Sequence, residues 1–345
     1  MNLEGLLSLL PPTLIDGLVL GLMYSVIALG YTMVYGVLEF INFAHSEIFM
    51  FGGIVGVEML IFVLPNSGLH PLLQLLVAII VAAACAGGLA VAIERIAYRP
   101  LRLRNAPKLV PLISALGMSL FLQDAVRLVE SLFGNYNRPF PTFEFFDKAF
   151  VAVGTSKTGA FLVEFNKATA ELTNFQNLTF RLSWQQLTIC VFAGLMLWGL
   201  NYFVNYTRTG KAIRAVAQDA STSSLMGIDV TRVITITFLV GGALGGVAGV
   251  LYAMKVGNAW PFMGFLPGTK SFTAAVLGGI GSIPGAMLGG VVLGLIETLA
   301  GTYLPLFTND VIGNEYKDIV AFGILIIILI FKPAGLLGKA VSEKV

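Results

Sequence analysis

The stretch Gly17–Leu38 runs 22 residues without a charged side chain, and the chain repeats this pattern several times. Charge-free runs of 26, 22 and 26 residues separate Arg181 from Arg208, Arg232 from Lys255, and Lys270 from Glu297. About 20 apolar residues of helix cross the hydrocarbon core of a bilayer. Only 12% of the residues are charged, against roughly 25% in soluble domains, and the mean hydropathy is +0.86. The runs are continuous, whereas a barrel needs alternating segments of about 10 residues. The expected fold is all-α: a polytopic transmembrane helical bundle of about eight spans, forming one domain over residues 1–345.

Cys85 and Cys190 both lie inside apolar runs, which argues against a disulfide framework or a metal cluster. Met1–Pro12 carries Glu4 and no Lys or Arg, unlike the positive leader of a signal peptide. The first run is therefore expected to remain as a span. Spans are expected at 14–36, 41–64, 71–94, 109–133, 183–205, 231–254, 271–302 and 317–332.

Orientation follows from Lys and Arg near the span ends. Glu94–Lys108 holds Arg95, Arg99, Arg102, Arg104 and Lys108; Tyr206–Arg232 holds Arg208, Lys211, Arg214 and Arg232; the tail holds Lys332, Lys339 and Lys344. These three segments are placed in the cytoplasm, with the C-terminus. Gly134–Leu182 spreads five cations over 49 residues among Glu144, Asp147, Glu164 and Glu171, so it is read as an external loop. Its Asn177-Leu178-Thr179 triplet is read as a chance match to a glycosylation site. The N-terminus then falls outside.

Parity requires the region between the sixth and last spans to begin and end outside. The octet Gly278-Gly279-Ile280-Gly281-Ser282-Ile283-Pro284-Gly285 offers the means, because glycine and proline at this density do not hold a regular helix. Two pieces, around 271–280 and 284–302, are expected to meet at a break within the membrane. Unwound backbone at that depth survives only where protein or a water-filled cavity covers it, so the break is expected near a path.

Gly241, Gly245 and Gly249, then Gly281, Gly285 and Gly289, recur at four-residue spacing. Such stripes let helices approach closely; tight packing and sliding between helices are both compatible with them. In span two, a helix would place Asn42, His45, Ser46 and Phe49 on one side, and Glu47 and Glu58 on another. Ionisable groups in a span face the bundle interior or water, so His45 is read either as a packing residue or as part of a path. Gln123, Asp124, Arg127 and Glu130 stand three and four apart and are expected to neutralise one another.

The two histidines, His45 and His70, are too far apart for an HExxH site, and no GxSxG or Walker A pattern is present. Thr209-Gly210-Lys211-Ala212 lacks the upstream glycine and the hydroxyl after the lysine. The segment from Arg208 to Asp219, followed by Leu225-Met226-Gly227-Ile228-Asp229, favours a short helix ending before Gly227. It reads as a docking surface or as a solvated loop.

Several stretches resemble the LivH-type permeases of branched-chain amino acid ATP-binding-cassette importers. They are Ala28-Leu29-Gly30-Tyr31-Thr32-Met33-Val34-Tyr35-Gly36, Ile41-Asn42-Phe43-Ala44-His45, the run Glu94–Arg102, Ile113–Met118, Phe272–Ala286, Tyr316-Lys317-Asp318, and Lys332–Gly338. The resemblance covers nearly the whole chain. It departs in the longer, more polar external loop and at Ser46, where the family pattern favours glycine.

The resemblance implies a prokaryotic inner-membrane importer of branched-chain or other neutral amino acids. Its implied partners are a LivM-like second permease, two ATPase subunits that hydrolyse ATP, a periplasmic solute-binding protein and the lipid bilayer, with no nucleic acid. This chain would bind no cofactor of its own. Residues 206–232 would form the coupling loop, carried by Gly210, Arg214, Asp219 and Gly227. Asn42, His45, Gly278, Gly281 and Pro284 are assigned to the path. A urea or short-chain amide permease is the alternative within the class; an ion-coupled secondary transporter or a channel stands outside it.

Overall fold

The computed structural model describes residues 3–338 apart from 39, 66, 105, 108, 135, 157, 169–171, 173–174 and 280. Lys108, Glu171, Ile280, Lys339 and Lys344, named above, lie outside the described residues. Seven helices are long and apolar enough to cross a membrane. They are built on α1 (Leu3–Leu38), α2 (His45–Glu58), α3 (Pro71–Ile93) with its continuation α4 (Arg99–Leu103), α5 (Leu109–Leu132), and three later helices described below. Single π-helical turns, Met59–Val63 and Glu94–Tyr98, extend α2 and join α3 to α4.

The external loop holds β1 (Arg138–Pro139), the short α6 (Glu144–Asp147), and strands β2 (Ala149–Ser156), β3 (Phe161–Lys167) and β4 (Phe175–Ser183). The last three form an antiparallel sheet in the order β3-β2-β4. Beyond it come α7 (Trp184–Tyr206), α8 (Arg208–Gln218), α9 (Ala220–Leu225), α10 (Val230–Val256), β5 (Asn258–Ala259), α11 (Phe265–Gly278), α12 (Ile283–Thr308) and α13 (Lys317–Phe331). The sixth and seventh of the long helices are α10 and α12; α7 is the fifth. With 15 residues, α13 is shorter than each of these seven spans, the shortest of which has 19. β1 pairs antiparallel with β5, Arg138 opposite Ala259, and ties the start of the external loop to the end of α10.

α10 runs through the middle of the bundle, between α2 and α3. Its glycines set how close those neighbours come. A Cβ on Gly246 would collide with the backbone of Ala82 in α3, and one on Gly249 would collide with the Phe49 carbonyl and the Gly53 backbone in α2. Of the stripe read from the sequence, Gly241 faces Gly30 and Val34 of α1, and Gly245 and Gly249 face α2; an adjoining pair that the reading did not include, Gly242 and Gly246, serves α3. Because backbone atoms form the contact, no rotamer change relieves an added side chain. Gly249→Val is expected to destabilise the purified chain by at least the 1–3 kcal/mol or so typical of overpacking. Thermal unfolding in detergent, compared with wild type, checks this.

The chain does break where glycine and proline cluster. α11 stops at Gly278 and α12 starts at Ile283; between them Gly279 and Gly281 take φ of 105° and 86°, which β-carbon-bearing residues resist. The hydroxyl of Ser282 accepts from the Gly285 amide at 3.2 Å and caps α12. The two helices form an antiparallel hairpin, Gly278 against Gly285 and Ala274 against Gly289.

The break is placed differently from expectation. It lies at the end of the bundle that carries α8, beside a cleft of about 520 Å³ lined by Arg214, Gln218, Gly281, Ser282 and Leu337. The amides of Leu336 and Leu337 donate to the carbonyls of Leu277 and Gly278 at 2.7 and 2.9 Å. Helix-end carbonyls need such partners, so the chain beyond α13 supplies what the break leaves open. Gly281 and Pro284 are exposed there. The expected mid-membrane position is corrected for a simple reason: composition marks where a helix stops and says nothing of depth.

The non-helical backbone inside the bundle is instead the stretch 40–44. α2 begins only at His45, whose ring lies beside Gly245, fifteen residues into α10 and so about 22 Å from its start. Asn42 therefore precedes the helix rather than sharing a helical face with His45.

Candidate functional site

Because α2 starts so deep, its first turn opens onto the interior. A cavity of about 190 Å³ lies between α1, α2, α5 and α11, lined by Tyr31, Phe43, Glu47, Ser119, Gln123 and Phe272 among others. A second, much smaller pocket of about 10 Å³ shares Tyr31 and Phe272 and adds Thr32, Tyr35, Asn42 and Ala275. The rings between them are close. Tyr31 and Phe272 stand 6.0 Å apart edge-on, and Phe43 and Phe272 stand 6.2 Å apart. Tyr31 and Phe272 thus stand in the walls of both the larger chamber and a slot with room for about one water, with Phe43 beside Phe272 on the chamber side.

Asn42 and His45 support this wall. The Tyr98 hydroxyl donates to Asn42 Oδ1 at 2.7 Å, pinning the non-helical stretch to the end of α3. The His45 ring meets Tyr31 edge-on at 4.7 Å and occupies the space that the missing side chain of Gly30 leaves. Both residues are buried. Asn42 lines the narrow slot; His45 sits behind Tyr31. Glu47 is also buried and faces the chamber, with Oε1 3.2 Å from the hydroxyls of Ser46 and Ser119.

A second polar centre joins the hairpin to its neighbours. Lys270 Nζ donates to Glu297 Oε1 at 2.8 Å and stands 2.7 Å from Asp318 Oδ1, off the hydrogen-bonding line. Lys317 Nζ lies 3.4 Å from Glu297 Oε1, and the Tyr24 hydroxyl donates to Oε2 at 2.9 Å. Two cations and two carboxylates thus balance across α1, α11, α12 and α13. Sequence spacing had no means to show this, because Lys270 and Glu297 meet only when the hairpin closes.

At the other end, α8 and α9 form an exposed pair. Thr207 caps α8, accepting from the Gly210 amide at 3.0 Å. A Cβ on Gly210 would strike the backbone of Phe203 and Val204, so α8 folds back tightly on the end of α7. Arg214 Nη1 donates to Asn205 Oδ1 at 3.3 Å and braces the same corner. Asp219 caps α9; the Thr222 hydroxyl and then its amide hold the Asp219 carboxyl below the usual carboxylate range. Gly227 turns the chain with φ 83° just beyond α9.

Of the residues singled out from sequence, Gly210, Arg214, Asp219 and Gly227 fall together on this corner. Gly281 joins it through the cleft, while Gly278 packs against Gly285 and Pro284 lies in the first turn of α12; none of the three lines the chamber. The expected network in span four divides among three places. Gln123 reaches the chamber, Arg127 lies over the Phe262 ring, and Glu130 accepts from Arg138 Nε at 2.8 Å. Among the chamber residues, sequence reasoning put Glu47 on an interior- or water-facing side without assigning it to the path, and it did not assign Tyr31 or Phe272 there. A carboxylate one turn into a span was the available signal.

A multi-span helical bundle with a largely apolar interior chamber and an exposed helical corner has the build of a multi-pass membrane permease subunit. The chain belongs to the family described as the permease component of the branched-chain amino acid transport system, whose model matches residues 13–329. It is 42% identical over 333 residues to the high-affinity branched-chain amino acid transport permease BraD of Pseudomonas aeruginosa, covering 96% of this chain and 97% of BraD. Identity to LivH of Escherichia coli K12 is 41% over 336 residues, 96% of each chain. A probable LivH of Methanocaldococcus jannaschii is 27% identical over 315 residues, 90% of this chain and 87% of that one.

Proposed function

We propose that this chain is one of two permease subunits of an ATP-driven importer and passes branched-chain or other neutral amino acids through the chamber. The chamber carries the reading. Its volume lies below the roughly 300–1,000 Å³ of drug-sized sites, and its walls mix Phe43, Phe272 and Leu116 with a few polar groups. A zwitterion cannot cross hydrocarbon unshielded, and an apolar side chain needs apolar walls; this lining suits both.

The described parts of the three cationic segments gather at one end, where Arg99 and Arg102 of α4 meet Thr235 and Thr231 of α10. That end is taken as cytoplasmic, which puts the N-terminus and the β2–β4 sheet outside, facing a solute-binding protein. ATP hydrolysis is assigned to two partner subunits, with α8 and α9 as the corner they push. A second, similar permease subunit would complete the path.

Reconstitution with the partner subunits tests the reading. Leucine uptake into vesicles should require ATP inside the partner compartment and persist with an uncoupler. Uptake that continues without ATP would instead identify an ion-coupled transporter or a channel, and carriage of urea but not leucine would replace the substrate class. Arg214→Glu is expected to leave the complex in the membrane while cutting uptake per ATP hydrolysed. The ratio of the two rates measures this, and an unchanged ratio would remove Arg214 from the coupling role.

A further inference from the structure

We propose that Glu47 is the contact for the substrate's ammonium group as an amino acid crosses the chamber. The inference rests on the reading that an amino acid takes this route.

Glu47 is buried to 1% exposure in the first turn of α2 and turns its carboxylate into the 190 Å³ cavity. Its surroundings are short of positive charge. Among the described residues lining the cavity, none is Lys, Arg or His. Two hydroxyls approach Oε1 at 3.2 Å, from Ser46 and Ser119. Ser46 has only one proton, and its Oγ lies nearer the Phe43 carbonyl, at 2.8 Å. That leaves Ser119 as the donor to Oε1. Oε2 has no hydrogen-bond partner among the described residues.

Elsewhere in the bundle the buried carboxylates are matched. Glu297 has Lys270 and Lys317, Glu130 has Arg138, and Glu94 has Arg99 and Arg102. A buried carboxylate without a cation is costly, and in a span it marks a solute pathway by default. The cation that fits is one that arrives and leaves. A primary ammonium is compact and carries three donors, enough to satisfy Oε2 while Phe43, Leu116 and Phe272 receive an aliphatic side chain. Gln123, one turn beyond Ser119 on α5, also lines the cavity, and its amide could donate to the carboxylate end. A single charged contact holds the zwitterion weakly enough to release it, which a permease needs more than tight binding.

Glu47→Gln in the full importer tests this, since glutamine keeps the length and the hydrogen bond to Ser119 and loses only the charge. Leucine uptake driven by loaded binding protein is expected to fall at least about tenfold, which corresponds to about 1.4 kcal/mol, while ATP hydrolysis and complex assembly persist. Uptake within twofold of wild type would overturn the proposal. A ligand series on the wild-type complex decides the matter even if the variant fails to assemble. Leucine and 3-methylbutylamine should raise its melting temperature, whereas 4-methylpentanoate, which lacks the amine, should not. An equal shift with 4-methylpentanoate, or none with 3-methylbutylamine, counts against Glu47. A wild-type complex that carries no amino acid at all would remove the substrate reading itself; leucine transport indifferent to Glu47→Gln removes only the ammonium contact.

Discussion

Lys270→Met lowers the stability of the chain by about 3–5 kcal/mol, the usual result of breaking a buried ion pair from one side. Lys270 is the only one of the two cations that touches both Glu297 and Asp318. Methionine fills a similar volume, so the loss reports charge rather than packing. What remains is two carboxylates against Lys317, in a centre where the Glu297 side chain is 3% exposed. Thermal unfolding of the detergent-purified protein measures the effect. The double variant Lys270→Met/Glu297→Leu removes one charge of each sign and is expected to recover most of the loss, because replacing a whole buried pair by apolar groups is often neutral. A double variant as unstable as the single one would mean that shape, not charge balance, holds the hairpin.

Replacing Leu225 and Met226 together by Asp is expected to strip the ATPase subunits from the complex without removing this chain from the membrane. Leu225 is 86% exposed and Met226 79% exposed, at the tip of α9, on a short helix whose other residues are Ala220, Ser221, Thr222, Ser223 and Ser224. Two large apolar side chains exposed beyond the spans would suit a pocket on the proposed ATPase partner. Interface anchors of this kind contribute about 2 kcal/mol or more each, so losing both weakens docking on the order of a thousandfold. Co-purification of the ATPase subunits on a tagged permease reads this out, with the permease level in membranes as the control. Retention of the ATPases at the wild-type ratio would move the docking surface elsewhere.

Much of the fold was legible in the charge-free runs, because hydrocarbon thickness converts directly into residue count. Gly278, Gly281 and Pro284 marked a real break for a similarly local reason: each acts on its own stretch of backbone. Depth and long-range pairing were not legible. Nothing in Phe40–Ala44 says that α2 starts about halfway up α10, since that depends on Tyr98 from another helix holding Asn42. The chamber shared this difficulty, being assembled from residues on four helices. Strands in the external loop escaped notice because β2, β3 and β4 alternate only weakly and their pairing is settled across the loop, Val151 opposite both Phe165 and Leu182. The α8–α9 corner could be located from its charge and its glycines, but its apolar tip drew no attention without knowledge of exposure.

The hairpin of α11 and α12 is fastened twice. Backbone contact between Gly278 and Gly285 closes the turn, and Lys270 with Glu297 clamps the limbs farther along, about 12 Å up α11 and about 18 Å up α12. A forked beam riveted at two heights resists bending. Under the proposed coupling, force arriving from α8 at Gly281 would tilt both prongs as one stiff piece, and Phe272, mounted between the rivets, would swing with it as the shutter of the passage.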